Sequence, residues 1–321
     1  MKKMMKLLAL TLALCLLCMA PASALAEGET VYHIGVIQLV QHPALDLATQ
    51  GFMDKLTELL GEGNVEFDYQ NAQGESVNCA TIVNGFVAAN VDLILANATA
   101  ALQAAYNGTD TIPVLGTSIT DFASALDLTD FDGTTGFNVS GTSDLAPLDE
   151  QAALIKELFP EVKKVGLLYC TAEANSQYQV DVVTQVLTEM GIESKQFGFS
   201  DSNDIASVTT SACAECDVIY VPTDNTAASN TEIINNICLP AGVPVIAGEE
   251  SICSGCGVAT LSISYYDIGT AAGEMAYEIL VNGADVATMP IRYAPEVTKK
   301  YNVANCEALN VTVPEGFVAI E

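Results

Sequence analysis

Acids, amides and hydroxyls gather at six places in this 321-residue chain, and each gathering directly follows an apolar run. Gln41-His42 follows Ile34–Val40, Thr99 follows Leu93–Ala98, and Ile119-Thr120-Asp121 follows Val114–Ser118. In the second half, Glu173-Ala174-Asn175-Ser176 follows Val165–Tyr169, Thr223-Asp224-Asn225 follows Val218–Val221, and Glu249-Glu250 follows Val243–Ala247. Groups of this kind can grip a small polar solute, whereas bond-breaking chemistry has few players. Only two histidines exist, His33 and His42, and neither sits in a metal-ligand or nucleophile–base pattern. Asn175-Ser176 and Thr99 each fall where a strand turns into a helix, a position that serves either ordinary N-capping or anion binding. Asp224 and Asp267 carry a parallel ambiguity, as helix caps or as partners of a ligand cation. Tyr265 and Tyr266 read as packing residues or as aromatic walls.

The elements that must position these groups alternate along the whole chain. β-branched apolar runs at 33–40, 65–69, 92–98 and 113–118 are separated by helical patterns at 44–60 and 76–89, with another helix opening at Thr99. The stretch 127–142 reads as loop with one short strand at 135–139. The pattern then restarts: helix 144–158, strand 163–169, helix 176–190, strand 193–199, helix 204–212, strand 217–221, helix 225–238 and strand 243–247. A loop holding Cys253 and Cys256, strand 258–263, helix 266–281 and short strands at 289–293 and 300–303 complete it. This is α/β layering with parallel sheets, repeated once without a low-complexity linker, so two similar lobes are expected. Ligands of such sheets sit beyond the carboxyl ends of the strands. Neither half carries a phosphate-binding glycine loop.

The amino terminus reads as a secretory signal peptide, residues 1–26. Lys2, Lys3 and Lys6 precede the apolar run Leu7–Met19, and Ala24-Leu25-Ala26 offers a small-residue cleavage site. Leucine directly before Cys15 and Cys18 disfavours lipid attachment. Three of the 11 basic residues leave with this leader, so 40 acidic residues face eight basic ones, which argues against nucleic acid or an anionic membrane as partner. Eight of the ten cysteines remain, including Cys213-Ala-Glu-Cys216 and Cys253-Ser-Gly-Cys256. Export favours local or neighbouring disulfides over a zinc site, with free thiols the alternative.

Several blocks taken together are specific. Gln38-Leu39-Val40-Gln41-His42-Pro43-Ala44-Leu45-Asp46, Asp68-Tyr69-Gln70-Asn71-Ala72-Gln73-Gly74, Glu173-Ala174-Asn175-Ser176, Tyr220-Val221-Pro222-Thr223-Asp224-Asn225, Ala247-Gly248-Glu249 and Tyr265-Tyr266-Asp267-Ile268-Gly269 resemble, in order, substrate-binding proteins of the tryptophan/tyrosine ABC-importer family. The resemblance spans about residues 32–283. It implies a type I periplasmic-binding-protein fold, two Rossmann-like lobes joined by a three-stranded hinge. The lobes would be 27–140 plus 266–290 and 141–265 plus 291–321, with crossovers near Asn138–Ser143, Ser264–Tyr266 and Met289–Ile291. It also implies an aromatic amino acid as ligand. Thr99, Ser118, Asn175 and Ser176 would take its carboxylate; Asp224, with Glu249 or Asp267 as substitutes, would face its ammonium. Gln38, Gln70, Asn71, Asn225 and Tyr265 complete the expected site. No catalytic residue, cofactor or metal is expected, and the partners are the ligand and the permease subunits of an importer. The protein is expected to be an exported monomer. A receptor for a sugar or other uncharged solute, or an exported enzyme using Asp224 or Glu249, are the alternatives. Acids and helix starts, without any tryptophan to stack on a sugar, favour the zwitterion.

Overall fold

The computed structural model describes residues 30–320; the expected leader lies outside them. Strands β1 (Tyr32–Gln38), β2 (Val65–Asn71), β3 (Leu93–Asn97), β4 (Val114–Ile119) and β5 (Val139–Ser143) belong to a first sheet. Strands β6 (Lys164–Cys170), β7 (Glu193–Phe199), β8 (Val218–Val221), β9 (Val245–Ala247) and β10 (Ala259–Ser262) belong to a second. The tail adds β11 (Arg292–Tyr293) to the first sheet, and β12 (Thr298–Tyr301) and β13 (Val318–Ala319) to the second. The orders are β11-β5-β4-β3-β1-β2 and β13-β12-β10-β9-β8-β6-β7. Every pairing is parallel except that of β12 with β10.

Side chains alternate across each sheet, so both faces need cover. On β3, Leu93 and Leu95 enter one core while Ile94 and Ala96 enter the other. On β8, Val218 and Tyr220 face one core and Ile219 and Val221 the opposite one. Helices α1 (Pro43–Leu60), α2 (Ser76–Ala89), α3 (Thr99–Gly108) and α4 (Phe122–Ala125) follow strands of the first sheet. Helices α5 (Leu148–Leu158), α6 (Ala174–Glu189), α7 (Ile205–Glu215), α8 (Asn225–Ala228), α9 (Thr231–Ala241) and α10 (Glu250–Cys256) interleave with the second. Helix α11 (Tyr265–Leu280) returns to pack on α1, and α12 (Val303–Leu309) lies in the tail. The α1–α11 contact is so close that a Cβ on Gly269 would stand 2.0 Å from the Ala48 carbonyl oxygen. Only glycine fits there, and the contact fixes the start of α1 against the start of α11.

Four local expectations change. The strand expected at 135–139 lies instead at Val139–Ser143: its hydroxyls disguise it, yet they are buried and bonded, Ser140 Oγ to Met289 O at 2.9 Å and Thr142 Oγ1 to Thr117 Oγ1 at 3.0 Å. The helix expected from Asp144 begins at Leu148, leaving Asp144 on the segment that passes between sheets. The helix expected over 225–238 is broken into α8 and α9, because Ser229 Oγ and Asn230 Nδ2 bond back to Asn225 O and Thr226 O and end the first turn. The stretch holding Cys253 and Cys256 is helix α10, capped by Glu249.

The expected crossovers can be placed on this frame. Segment 138–143 is almost entirely β5, so the chain leaves the first sheet just after it, and it returns between β10 and α11. Arg292 and Tyr293 still pair with β5, which puts the third passage at 294–297, beyond the expected Met289–Ile291. Among the described residues all eight cysteines are thiols. Cys213 does not face Cys216, which packs under β6; it lies 3.5 Å from Cys238 on α9.

Candidate functional site

The carboxyl ends of strands from both sheets surround one small cavity of about 10 Å³, room for about one water molecule. The first lobe contributes His42, Leu45, Ser118 and Thr120, the second Asn175, Thr223, Asp224, Asn225, Ala228, Glu249 and Ile252, and the linking segments Asp144 and Tyr265. Larger grooves open from it on two sides. One, on the hinge side, shares Ala228, Glu249 and Tyr265 and is walled by Leu47, Ile263, Tyr266 and Pro295, with Asp267 on its lining. The other shares Asn175 and Asn225 and runs past Thr99, Ala100, Gly74 and Ser200.

The first-lobe face is shaped by a bulge. Gly116 pairs with Gly141 but Ile119 pairs with Ser143, so β4 holds one residue more than β5 across this interval. Gly141 has φ +147, and a Cβ there would lie 2.0 Å from Gly116 O. The extra residue leaves Ser118 at φ +56, a left-handed conformation unusual for serine, with its Oγ buried and unpartnered. Ala98, at φ +89, precedes α3 and has no side chain to cap it, so the first-turn N–H groups of that helix lack a side-chain acceptor. Beneath the cavity, Gln38 bonds Val40 O, Asp46 and Thr49, and Asn97 donates to Leu45 O and Thr49 Oγ1. Both tie α1 to the sheet and set the position of His42 at its start.

The carboxylates of the second-lobe face are pre-bonded. Glu173 accepts from Asn225 N (3.0 Å), Asn225 Nδ2 (2.7 Å), Thr226 N (2.8 Å) and Thr226 Oγ1 (2.7 Å). Asp224 accepts from Cys170 N at 2.6 Å and Ala227 N at 2.8 Å, and Ser176 also bonds it. Glu249 accepts from Ile252 N and Ser251 Oγ, both at 2.6 Å. Burial nevertheless pushes the Asp224 carboxyl up to about 8, reinforced by the charge of Glu173 and opposed by its backbone donors. Asp144 accepts from Tyr265 OH at 2.9 Å and Thr120 Oγ1 at 3.2 Å; burial raises its carboxyl to about 6 against the pull of those hydroxyls. No lysine or arginine lines the cavity. Three buried carboxyl groups without a basic partner make a site that accepts positive charge.

The structure brings Ser118, Asn175, Asp224, Asn225, Glu249 and Tyr265 together. Thr99 and Asp267 line the two outer grooves. Ser176 is fully buried behind Asp224. Gln38 is consumed by the internal bonds just described, so it supports the site without lining it. Gln70 and Asn71 stand on β2, the edge strand farthest from β4, where they bond Asp68 and Gln73 N instead of facing the cavity. Sequence reasoning left His42, Thr120, Asp144, Glu173 and Thr223 out of the site. All but Asp144 lie in the polar clusters that follow strands, which was the available signal; Asp144 was hidden as a helix start.

The two faces touch. His42 Nε2 lies 3.1 Å from Asn225 Oδ1, and Gln179 Nε2, on α6, bonds both Thr223 Oγ1 (2.6 Å) and Thr120 Oγ1 (3.4 Å). A family model described as ABC transporter substrate binding protein matches residues 33–320. The chain belongs to that family. The binding protein is 36% identical over 287 residues to the tyrosine-binding protein of Clostridioides difficile (strain R20291), covering 89% of this chain and 83% of that one. It superposes on the ABC domain in complex with L-Trp from Streptococcus pneumonia with a TM-score of 0.86 at 32% identity, covering 91% of this chain and all of the other. A ligand-free, open substrate binding protein with adhesive properties from Clostridium difficile is 35% identical, with 91% and 99% coverage, yet its TM-score is 0.70. The more identical chain is the less similar in shape. With the contacts across the cavity, this places the binding protein in a closed arrangement of the type I fold.

Proposed function

We propose that this binding protein captures an aromatic amino acid outside the cytoplasm and delivers it to the permease of an ABC importer. The observation that carries the reading is the cavity's division of labour. Asp144, Asp224 and Glu249 offer a buried site for an ammonium, while the Ser118 hydroxyl and, on the adjoining groove, the uncapped start of α3 offer donors for a carboxylate. The hinge-side groove is mixed in lining, with Glu250, Asp267, Glu296 and Lys300 on it, and Leu47, Ile263, Tyr265 and Pro295 supply the apolar wall that an aromatic ring requires. Relatives named for tyrosine binding and solved with L-Trp support the same ligand class. Closure of the lobes buries the ligand, and the closed form is what a permease would recognise. No helix among the described residues is long and apolar enough to cross a membrane; delivery to the exterior is assigned to the leader read in residues 1–26. The one histidine of the cavity bonds an amide oxygen, not a hydroxyl or thiol, which supports capture over catalysis.

Titration calorimetry tests this directly. Tyrosine, tryptophan or phenylalanine should bind with a dissociation constant on the order of micromolar or tighter, about 8 kcal/mol. Absence of binding by any amino acid at millimolar concentration would overturn the amino-acid assignment, and saturation by a sugar would replace it. The chain contains no tryptophan, so ligand tryptophan fluorescence can be followed without protein background.

A further inference from the structure

One of the side chains that link the two lobes also has an atom with nothing to do. His42 is 7% exposed, and its Nδ1 is buried with no hydrogen-bond partner. Such an atom costs stability unless something outside the chain satisfies it. Its protonation can be worked out from the second lobe. Glu173, held by two backbone N–H groups and the Thr226 hydroxyl, can only accept, so the Asn225 atom 2.7 Å from it must be the amide nitrogen. Asn225 therefore turns its oxygen towards His42, and the imidazole nitrogen 3.1 Å away must carry the proton. In the neutral ring this leaves Nδ1 a bare, buried acceptor, on a residue that lines the same cavity as Asp144, Asp224 and Glu249.

We infer that His42 is a recognition residue whose Nδ1 accepts a hydrogen bond from the ligand's ammonium group, with Glu173 and Asn225 as positioning residues that fix its tautomer. The inference rests on the amino-acid reading above and deepens it. It also couples recognition to closure. The Nε2–H bond to Asn225 forms only when the lobes meet, so one ring bonds the ligand on one side and the opposite lobe on the other. A solute without an N–H donor at this point leaves Nδ1 orphaned inside the closed protein, which opposes closure around the wrong molecule.

Two histidines make the test clean. In protein labelled with 15N-histidine, exposed His33, 3.3 Å from Glu66, serves as internal reference. Adding a tyrosine excess to the wild type should move the His42 Nδ1 resonance while Nε2–H remains protonated, and His33 should stay still. In parallel, calorimetry compares tyrosine with its des-amino analogue, 3-(4-hydroxyphenyl)propionate. The wild type should prefer tyrosine by about a hundredfold or more, and His42→Gln, whose amide can still reach Asn225, should shrink that ratio by about tenfold or more. Glu173→Gln, which frees the Asn225 amide to flip, should shrink it by a smaller factor. If tyrosine binds but the Nδ1 resonance does not move, or the ratio is unchanged in His42→Gln, the role assigned to His42 is wrong while the amino-acid reading stands. If no amino acid binds the wild type, both fall together.

Discussion

The two faces of the cleft are built on opposite principles. On the second lobe, Asp224 and Glu249 spend their oxygens on backbone N–H groups of the helices they start, and Glu173 spends its own on the first turn of α8. On the first lobe, Ser118 Oγ and His42 Nδ1 are unpartnered, α3 starts without a side-chain cap, and Ala98 and Ser118 hold positive φ. One face is rigid before any ligand arrives; the other stores unsatisfied donors and acceptors and local strain. Buried groups of the first kind stabilise a fold, and groups of the second kind persist where function holds them. Substitutions on the two faces should therefore separate stability from binding.

The largest effect is expected at the scaffold beneath the first-lobe face. Gly141→Ala drives a Cβ into Gly116 O and demands a positive φ of alanine, so it should cost about 3 kcal/mol or more in denaturant unfolding and lower affinity by displacing the bulge. A stability within experimental error of wild type would mean that the bulge is not held by this close approach.

Asp224→Ala comes next. It strands the N–H groups of Cys170 and Ala227 and should destabilise by about 2–4 kcal/mol, with weaker binding as a companion effect. Weakened binding at wild-type stability would show Asp224 to be a ligand group first and a cap second, erasing the contrast between the faces.

The pH dependence is smaller and has a definite sign. Burial raises Asp224 to about 8 and Asp144 to about 6, above the range of unfolded carboxyls near 4. Between those values the folded, unliganded protein binds more protons than the unfolded chain, so its stability falls as pH rises through about 6 and then about 8. Asp217 and Glu215, held below the usual carboxylate range by backbone N–H donors and by Lys195 respectively, contribute only under more acidic conditions. Melting temperature without ligand should therefore decline from pH 5.5 to 8.5. A ligand ammonium should replace the bound protons, seen as a binding enthalpy near pH 7 that depends on the buffer's ionisation heat. A melting temperature that climbs over this interval would mean that both carboxyls are already ionised.

The smallest stability effect belongs to Ser118→Gly. It removes an orphaned hydroxyl and relieves a left-handed serine, so stability should change by no more than about 1 kcal/mol in either direction, while affinity falls measurably. A large loss of stability with intact affinity would reverse the roles assigned to the two faces.

The alternation of strands and helices was plain because the hydrophobic period changes at each boundary; α2 and β7 lie where their periodicity places them. The polar clusters beyond the strand ends were equally plain, and all six contribute to the cavity lining or its outer groove, through His42, Thr120, Asn175, Asp224, Glu249 and Thr99. What failed has physical causes. β5 carries hydroxyls where a buried strand usually carries methyls, because they bond neighbouring strands and Met289 O. Gln70 and Asn71 follow the local pattern of a cleft residue, but their strand is at the sheet's edge, and strand order is not written in local pattern. Asp144 resembles a helix cap in sequence and is a buried carboxyl partnered by Tyr265, 121 residues away.

The sequence alone determined the layered α/β architecture, the duplication into two sheets and the polar character of the strand ends, since periodicity and turn chemistry act over a few neighbouring residues. Tertiary structure decided which of those ends meet, which carboxylates are spent as caps and which atoms are left unpartnered. Those outcomes depend on contacts such as His42 with Asn225, 183 residues apart, where geometry and burial, not residue type, settle whether a polar group is satisfied or waiting.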